Sequence, residues 1–540
     1  MLRKLRRKLR YSRFAENSRL SQLINNKYFG INLAIVYFIV MIFIGFTFHK
    51  VEDILVAADF FSDYVPHAKQ FLNGQGYVDW YRGPAYPIFL GLSKILIGDF
   101  FRAGIFLSTL SAAIVIVFWN KIFTKLFVPA VGNFLTILLC ISPIFVLCTY
   151  TVGTDMLFLA LLSIGIYIFI QVANKFNLVQ IGMLGILIGL IFLTRFNGIV
   201  FLASTIFAIV FITHRQVKFR ERLAMITVLS FYFFLAILPY GLYTFATYGE
   251  FIPNRSYTTT AFEVYEKDRM DLAQYYDSGE TDKYTSFADV FSRDPQRFIT
   301  KIASNFIDNF YVDSRVLGFL FAALILLGAG VVANKMLERK AKPALIFYLL
   351  LVGLIYATLT LTYYVPRYSL ALMPAYIILI YYSIKYLSDK LSPKRRATQK
   401  LSAIIFIAPL IILAMLFQSW RYNSELINTG PQYMLTIADW AKSNIPDRAA
   451  KLMTRSKYAP YYLGLDNYIA LPFVNSLEEL LASIKNDPEI KYLFVSELEA
   501  YASTSFLESL RDPQTDIAGL QPIYHDAEHR LVLYGVNHNP

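Results

Sequence analysis

Charge and cysteine are the two things this chain has least of. Only 16% of its 540 residues are charged, against 56% that are hydrophobic, too little charge to cover a soluble globule of that size. The two cysteines, Cys140 and Cys148, fall eight positions apart in one expected helix, about 12 Å along its axis. A disulfide cannot reach that far, and the thiols say little about the compartment. Phosphate-loop, GxGxxG, CxxC and zinc-finger spacings are missing, which removes P-loop, dinucleotide-binding and zinc-module chemistry. No DxD sequence or histidine cluster supports a metal, so no cofactor is identified and a divalent ion has no residues arguing for it. No internal repeat is visible.

What the chain does have is a series of apolar runs of about 18–22 residues, the length that crosses a hydrocarbon core about 30 Å thick. The formal charge of +13 gathers in short turns between these runs, at HRQVKFRER, NKMLERKAK and DKLSPKRRATQK. Basic residues in that pattern report topology and attraction to anionic membrane lipids rather than a nucleic-acid surface. The expected class is therefore a multi-pass α-helical membrane protein with about eleven transmembrane helices, placed in the plasma (inner) membrane.

Residues 1–29 form a basic cytoplasmic N-terminus, anchored and retained rather than cleaved. The first span, 30–48, leads to an external loop at 49–102 that contains a short interfacial helix at 84–97. Further spans are expected near 103–118, 129–148, 156–172, 179–193, 197–213 and 223–247. An external loop at 248–313 follows, then spans near 316–333, 343–363, 368–387 and 401–419. From 423 to 540 the composition becomes that of a small α/β domain on the extracytoplasmic side. Its expected strands lie at 451–453, 468–471 and 491–495, its helices at 433–443 and 477–485, and a terminal hairpin turns at Asp526–Glu528.

This topology gathers ionisable residues at the external ends of the spans, where they are costly unless paired, hydrated or used. They are Asp59, Asp63 and Arg82 in the first loop, Asp155 in TVGTDMLF, Arg195 with Asn197 in LTRFNG, and Arg367 with Tyr368 in VPRYSLALMP. Each has a plain alternative. Asp155 can cap its helix, the arginines can reach to headgroups, and Asp59 and Asp63 can be solvated loop acids. Together they can do chemistry, because a carboxylate can take the proton of an attacking hydroxyl and arginines can hold a phosphate by paired hydrogen bonds.

In these motifs the chain resembles the C-type (GT-C) glycosyltransferase superfamily, in the branch of the lipid A aminoarabinose transferases and protein O-mannosyltransferases. The first-loop pattern of Asp59, Tyr64, Ala68 and Gly74, the Arg82–Pro87 entry, SPIFVLCTYTVGTDMLF, LTRFNG and VPRYSLALMP carry the likeness across residues 30–422. It implies a transmembrane catalytic domain and inverting transfer from a polyprenyl-phosphate sugar donor. The acceptor would be a hydroxyl of a glycolipid, polysaccharide or protein. Asp59 is implied as the base, with Asp63 the competing choice and Asp155 the second acidic site. Arg82, Arg195 and Arg367 would bind the donor phosphate, and Tyr64, Asn197 and Tyr368 would position substrate. Phe196 stands where a Pro is common, and Arg82 where some members have Lys. The tail lacks WWDYG, so it does not resemble an oligosaccharyltransferase that reads Asn sequons. The competing classes are a lipid-linked glycan flippase or transporter, a glycan polymerase or ligase, and a binding or assembly protein.

Overall fold

The computed structural model describes residues 28–51, 59–173, 177–211, 218–338, 340, 342–391, 397–474, 476–496 and 506–538. The basic N-terminal cluster expected to set the orientation lies outside them. Two compact units result. One is built from Met1–Thr47, Gly76–Asn254 and Ile299–Glu425, the other from Phe48–Gln75, Arg255–Phe298 and Leu426–Pro540.

The first unit is helical because its sequence is a series of apolar runs whose backbone groups must be satisfied within each run. Six described helices have the length and apolarity of a span: Phe29–Phe48, Phe100–Leu126, Thr154–Val172, Phe219–Tyr248, Phe319–Leu337 and the Pro366–Lys390 segment. Four shorter apolar helices, Ala85–Ile97, Leu178–Thr194, Phe196–Phe211 and Pro343–Leu359, lie between them. The expected span at 129–148 is instead two helices, Pro129–Cys140 and Pro143–Tyr150, bent by 58°. The cause is local, since Pro143 has no N–H to give and holds Ser142 extended at ψ 141°. Cys140 and Cys148 therefore lie in separate helices rather than one, and both are buried free thiols.

Close helix packing in this unit is set by residues without bulk. Gly182, Gly185 and Gly189 line one side of Leu178–Thr194, and a Cβ at Gly185 would meet the Leu229 carbonyl oxygen at 2.5 Å. That spacing lets the helix lie directly on Phe219–Tyr248. The core also holds a polar bond, in which Asn120 Nδ2 donates to Asn133 Oδ1 at 2.7 Å and to Thr136 Oγ1 at 3.1 Å. Beside it Trp119 is fully buried against Phe123 and Tyr348, each ring 4.9 Å away.

The second unit contains a five-stranded sheet of β1 (Lys451–Met453), β2 (Asn467–Ile469), β3 (Ile490–Val495), β4 (Leu520–Asp526) and β5 (Leu531–Val536), in the order β2-β1-β3-β5-β4. β1 runs parallel to β2 and β3, whereas β5 is antiparallel to β3 and β4. The hairpin turns slightly later than expected, because Asp526 still pairs with Leu531. The helices Tyr433–Asn444 and Leu477–Asn486 stand where the apolar spacing put them. Part of the first loop folds into this unit: the Phe61 ring lies 5.0 Å from Tyr461 and 5.7 Å from Tyr462, and Lys69 pairs with Asp466.

Gly328 on Phe319–Leu337 sets the approach to the Pro366–Lys390 segment, since a Cβ there would fall 2.0 Å from the Leu379 carbonyl oxygen. Gly328→Ala is expected to destabilise by about 1–3 kcal/mol through overpacking. Gly330→Ala, which meets nothing within 4 Å, is expected to be neutral or slightly stabilising. Thermal unfolding of both variants in detergent checks the contrast.

Candidate functional site

Three short breaks between helices build a charged cluster in the first unit. The helix Thr154–Val172 begins after Gly153, whose φ of 142° is accessible to glycine and strained for other residues. Gly153 N donates to Tyr86 Oη at 3.0 Å. Asp155 thus lies in the first helical turn and does not cap it; the N-cap position is Gly153. The helix Leu178–Thr194 ends at Arg195, which is extended at φ −149° and ψ 126° before the 3-10 turn Phe196–Gly198. Arg367 is the second residue of another 3-10 turn, Pro366–Leu372, entered through the extended Val365.

These breaks converge on one carboxylate. Arg195 Nη1 pairs with Asp155 Oδ1, and Arg367 Nη1 stands 3.9 Å from Asp155 Oδ2. The side chains are 10% (Asp155), 22% (Arg195) and 17% (Arg367) exposed, so the attraction is little diluted by water. Tyr368 lies beneath both cations, with its ring centroid 5.0 Å from Arg195 Cζ and 5.5 Å from Arg367 Cζ. Two guanidiniums around one carboxylate present more N–H donors than that carboxylate can accept, and such donors suit the oxygens of an anionic group.

Arg82 is reached through backbone. A Cβ at Gly83 would meet the Leu193 carbonyl oxygen at 1.9 Å, so only glycine lets this loop lie against the chain leading to Arg195. Arg82 Nη1 pairs with Asp79 Oδ2 at 3.3 Å, and Asp79 Oδ1 accepts from the backbone N–H groups of Tyr81 and Arg82 at 2.8 and 3.1 Å. The sequence reading passed over Asp79. Its signal is an Asp two and three residues ahead of the groups it bonds, the Asx-turn spacing. Asn197 sits in the Phe196–Gly198 turn, where its buried Oδ1 accepts no hydrogen bond among the described residues. Phe196 is itself buried, 5.3 Å from the Phe192 ring.

Asp59, Asp63 and Tyr64 belong to the second unit. They lie at a π-helical turn, Phe60–Tyr64, with Asp59 at its N-cap, and such turns recur at functional positions. Ser62 Oγ donates to Asp63 Oδ2 at 2.5 Å. Burial first, and then the charge of Asp63, pushes the Tyr468 phenol up to about 12. Among the described residues no group of three His, Cys, Asp or Glu converges as a metal site.

A family model described as dolichyl-phosphate-mannose-protein mannosyltransferase matches residues 81–243, the segment that carries Arg82, Asp155, Arg195 and Asn197. Among solved structures, the chain is similar to ArnT from Cupriavidus metallidurans bound to undecaprenyl phosphate, at 12% identity and TM-score 0.56, over 94% of this chain and 98% of that one. It is also similar to the oligosaccharyltransferase AglB from Archaeoglobus fulgidus in complex with an inhibitory peptide and a dolichol-phosphate, at 11% identity and TM-score 0.55, over 87% of this chain and 70% of that one. A comparison with curated protein sequences finds no match. The chain is an integral membrane protein with the fold of ArnT and a small C-terminal sheet domain, as the resemblance implied.

Removing one member of a buried ion cluster strands the others. Asp155→Ala is therefore expected to cost about 3 kcal/mol, and adding Arg195→Ala is expected to cost less than the sum of the single changes by at least about 1 kcal/mol. A double-mutant cycle on unfolding midpoints measures this coupling, and additivity would dissolve the cluster as an energetic unit.

Proposed function

We propose that this chain is an integral membrane glycosyltransferase that moves a sugar from a polyprenyl-phosphate-linked donor to an acceptor hydroxyl on the extracytoplasmic face, with inversion. The observation that carries the reading is the Asp155–Arg195–Arg367 cluster, with two guanidiniums on one carboxylate, in a fold shared with ArnT, whose solved structure holds undecaprenyl phosphate. The AglB structure likewise holds a dolichol-phosphate. In this reading the catalytic region is 30–422 and 423–540 is extracytoplasmic. Residues 1–29 are cytoplasmic, in the plasma (inner) membrane. The acceptor is a glycolipid, polysaccharide or protein.

In the transfer step, Asp59 or Asp63 accepts the proton of the acceptor hydroxyl as its oxygen attacks the anomeric carbon. The bond from that carbon to the phosphate oxygen breaks, and the electron pair leaves on polyprenyl phosphate. Arg82, Arg195 and Arg367 hold that phosphate by charge-assisted hydrogen bonds, while Asp155 orients the two arginines it pairs with. Asn197 Oδ1, buried and accepting no hydrogen bond among the described residues, is suited to accept from a sugar hydroxyl, and Tyr64 and Tyr368 position the substrates. A flippase would place its charges at the bilayer midplane and pair two structural repeats, features absent from this sequence.

Release of free polyprenyl phosphate from a panel of polyprenyl-phosphate sugars, by protein in liposomes with added acceptor, tests the reading. One of Asp59→Asn and Asp63→Asn is expected to slow release by at least about 100-fold, and full activity in both sinks the assignment of the base. Arg367→Ala is expected to raise KM for the donor about 10- to 100-fold, the scale of a lost hydrogen bond to a charged group.

A further inference from the structure

The helix Pro295–Leu317 is turned inside out. Asn305, Asn309 and Asp313, four residues apart and so on one stripe, are buried at 5%, 4% and 1% exposure, whereas Phe306, Ile307 and Tyr311 face outward at 55%, 69% and 55%. Every bond of the polar stripe goes to one stretch of chain. Asn305 Nδ2 donates to the Thr360 carbonyl at 2.9 Å and Asn309 Nδ2 to the Leu359 carbonyl at 3.2 Å. Asp313 receives two phenols, Tyr364 Oη on Oδ1 and Tyr376 Oη on Oδ2, each at 2.8 Å. Those two tyrosines bracket the 3-10 turn Pro366–Leu372 that carries Arg367 and Tyr368.

We propose that Asp313 is a positioning residue: its two carboxylate oxygens latch both ends of the 364–376 segment and thereby fix the direction of Arg367 toward Asp155 and the donor phosphate. The inference rests on the phosphate-binding role given to Arg367 above. Stability alone does not explain a carboxylate here. The titratable groups facing it are the phenols of Tyr356, Tyr364, Tyr376 and Tyr422, with the Ser369 hydroxyl, and no cation among the described residues offsets the charge. A neutral side chain would be cheaper to bury. What the ionised carboxylate alone offers is acceptance of both phenols at once; a proton on either oxygen turns it into a donor, and one phenol must reorient.

The helix bearing Asp313 is not one of the candidate spans, and burial raises this carboxyl from 3.8 to about 7 against the opposing pull of its hydroxyl partners. The sign follows from linkage. With the folded value raised, the favourable contribution to stability is complete below 3.8 and is lost as pH rises through about 7. The latch is tightest in the form that costs the fold most, so latch strength and global stability move in opposite directions with pH.

The test uses the full chain in liposomes, comparing wild type with Asp313→Asn, Tyr364→Phe and Tyr376→Phe. Three quantities are measured: the unfolding midpoint at pH 6 and 8, amide exchange across 359–376, and donor KM and kcat. Asp313→Asn is expected to unfold no earlier than wild type at pH 8, to lose protection at 364–372 about tenfold, and to raise KM about tenfold with little change in kcat. Wild-type KM is expected to fall as pH rises through about 7, the value set by burial, while that of Asp313→Asn stays flat. If Asp313→Asn does not fold, either phenol variant raising KM by more than its unfolding midpoint explains supports the latch. Folded variants with wild-type KM, or with wild-type protection, overturn it. Should wild type turn over no donor, the transferase reading fails, and the latch is decided by exchange: unchanged protection at 364–372 overturns it and lost protection supports it.

Discussion

A carboxylate shared by two guanidiniums is the constraint to which the first unit answers. Asp155, Arg195 and Arg367 come from positions 40 and more apart, and none is affordable alone among apolar helices, where an unpaired charge is expelled or neutralised. Pairing them requires three helix breaks to meet. The breaks are achieved by residues that either lack a side chain or fix the backbone: Gly153 at φ 142°, Gly83 against the Leu193 carbonyl, and Pro366 at the first position of its turn. Local geometry and long-range electrostatics here impose the same arrangement, which is what makes the cluster a defined site rather than a set of arginines reaching to the membrane surface.

The elements of the fold were legible where a period or a compositional boundary marks them. The apolar runs became helices, and the short runs at 451–453 and 491–495 became β1 and β3. The charged residues of the cluster were legible for a related reason: an ionisable group at the end of an apolar run needs an explanation, and Asp155, Arg195 and Arg367 each stand in such a place. The break at Ile141–Ser142 was missed because five apolar residues, Ile144 to Cys148, follow Pro143, and hydropathy averages over a proline that backbone geometry does not forgive. Asp79 was missed because its role is to organise its own loop, which charge counting does not see. Asp313 was passed over as the end of a polar loop. Nothing in a single sequence says that Tyr364 and Tyr376 will close on it, since that contact depends on the tertiary path.

The first loop shows a different limit. As one stretch of sequence it groups Asp59, Asp63 and Arg82. As structure it divides at Gln75, its first part packing through Phe61 and Lys69 on residues of the sheet-containing unit and its second entering the helical unit. Proximity along the chain therefore does not by itself make these three residues one site, and the case for a carboxylate base rests on chemistry rather than on loop membership.

The acids of the helical unit divide by partner, and the division assigns their work. Asp155 faces two cations, Arg195 and Arg367. Asp79 pairs with Arg82 and, by accepting from the backbone N–H groups of Tyr81 and Arg82, holds the loop that presents its fork of donors. In the proposed reading, a donor phosphate meets the guanidiniums of the Asp155 cluster and gains Arg82 to the extent that its own oxygens replace Asp79 as acceptors. Asp313, with hydroxyl partners in place of cations, adds no attraction for an anion; its weight falls on geometry, through the turn that aims Arg367. In the proposed reading the partners thus divide the groups: Arg195 and Arg367 hold the donor phosphate, Arg82 supplies a fork whose acceptor can be exchanged, and Asp313 fixes the direction of Arg367.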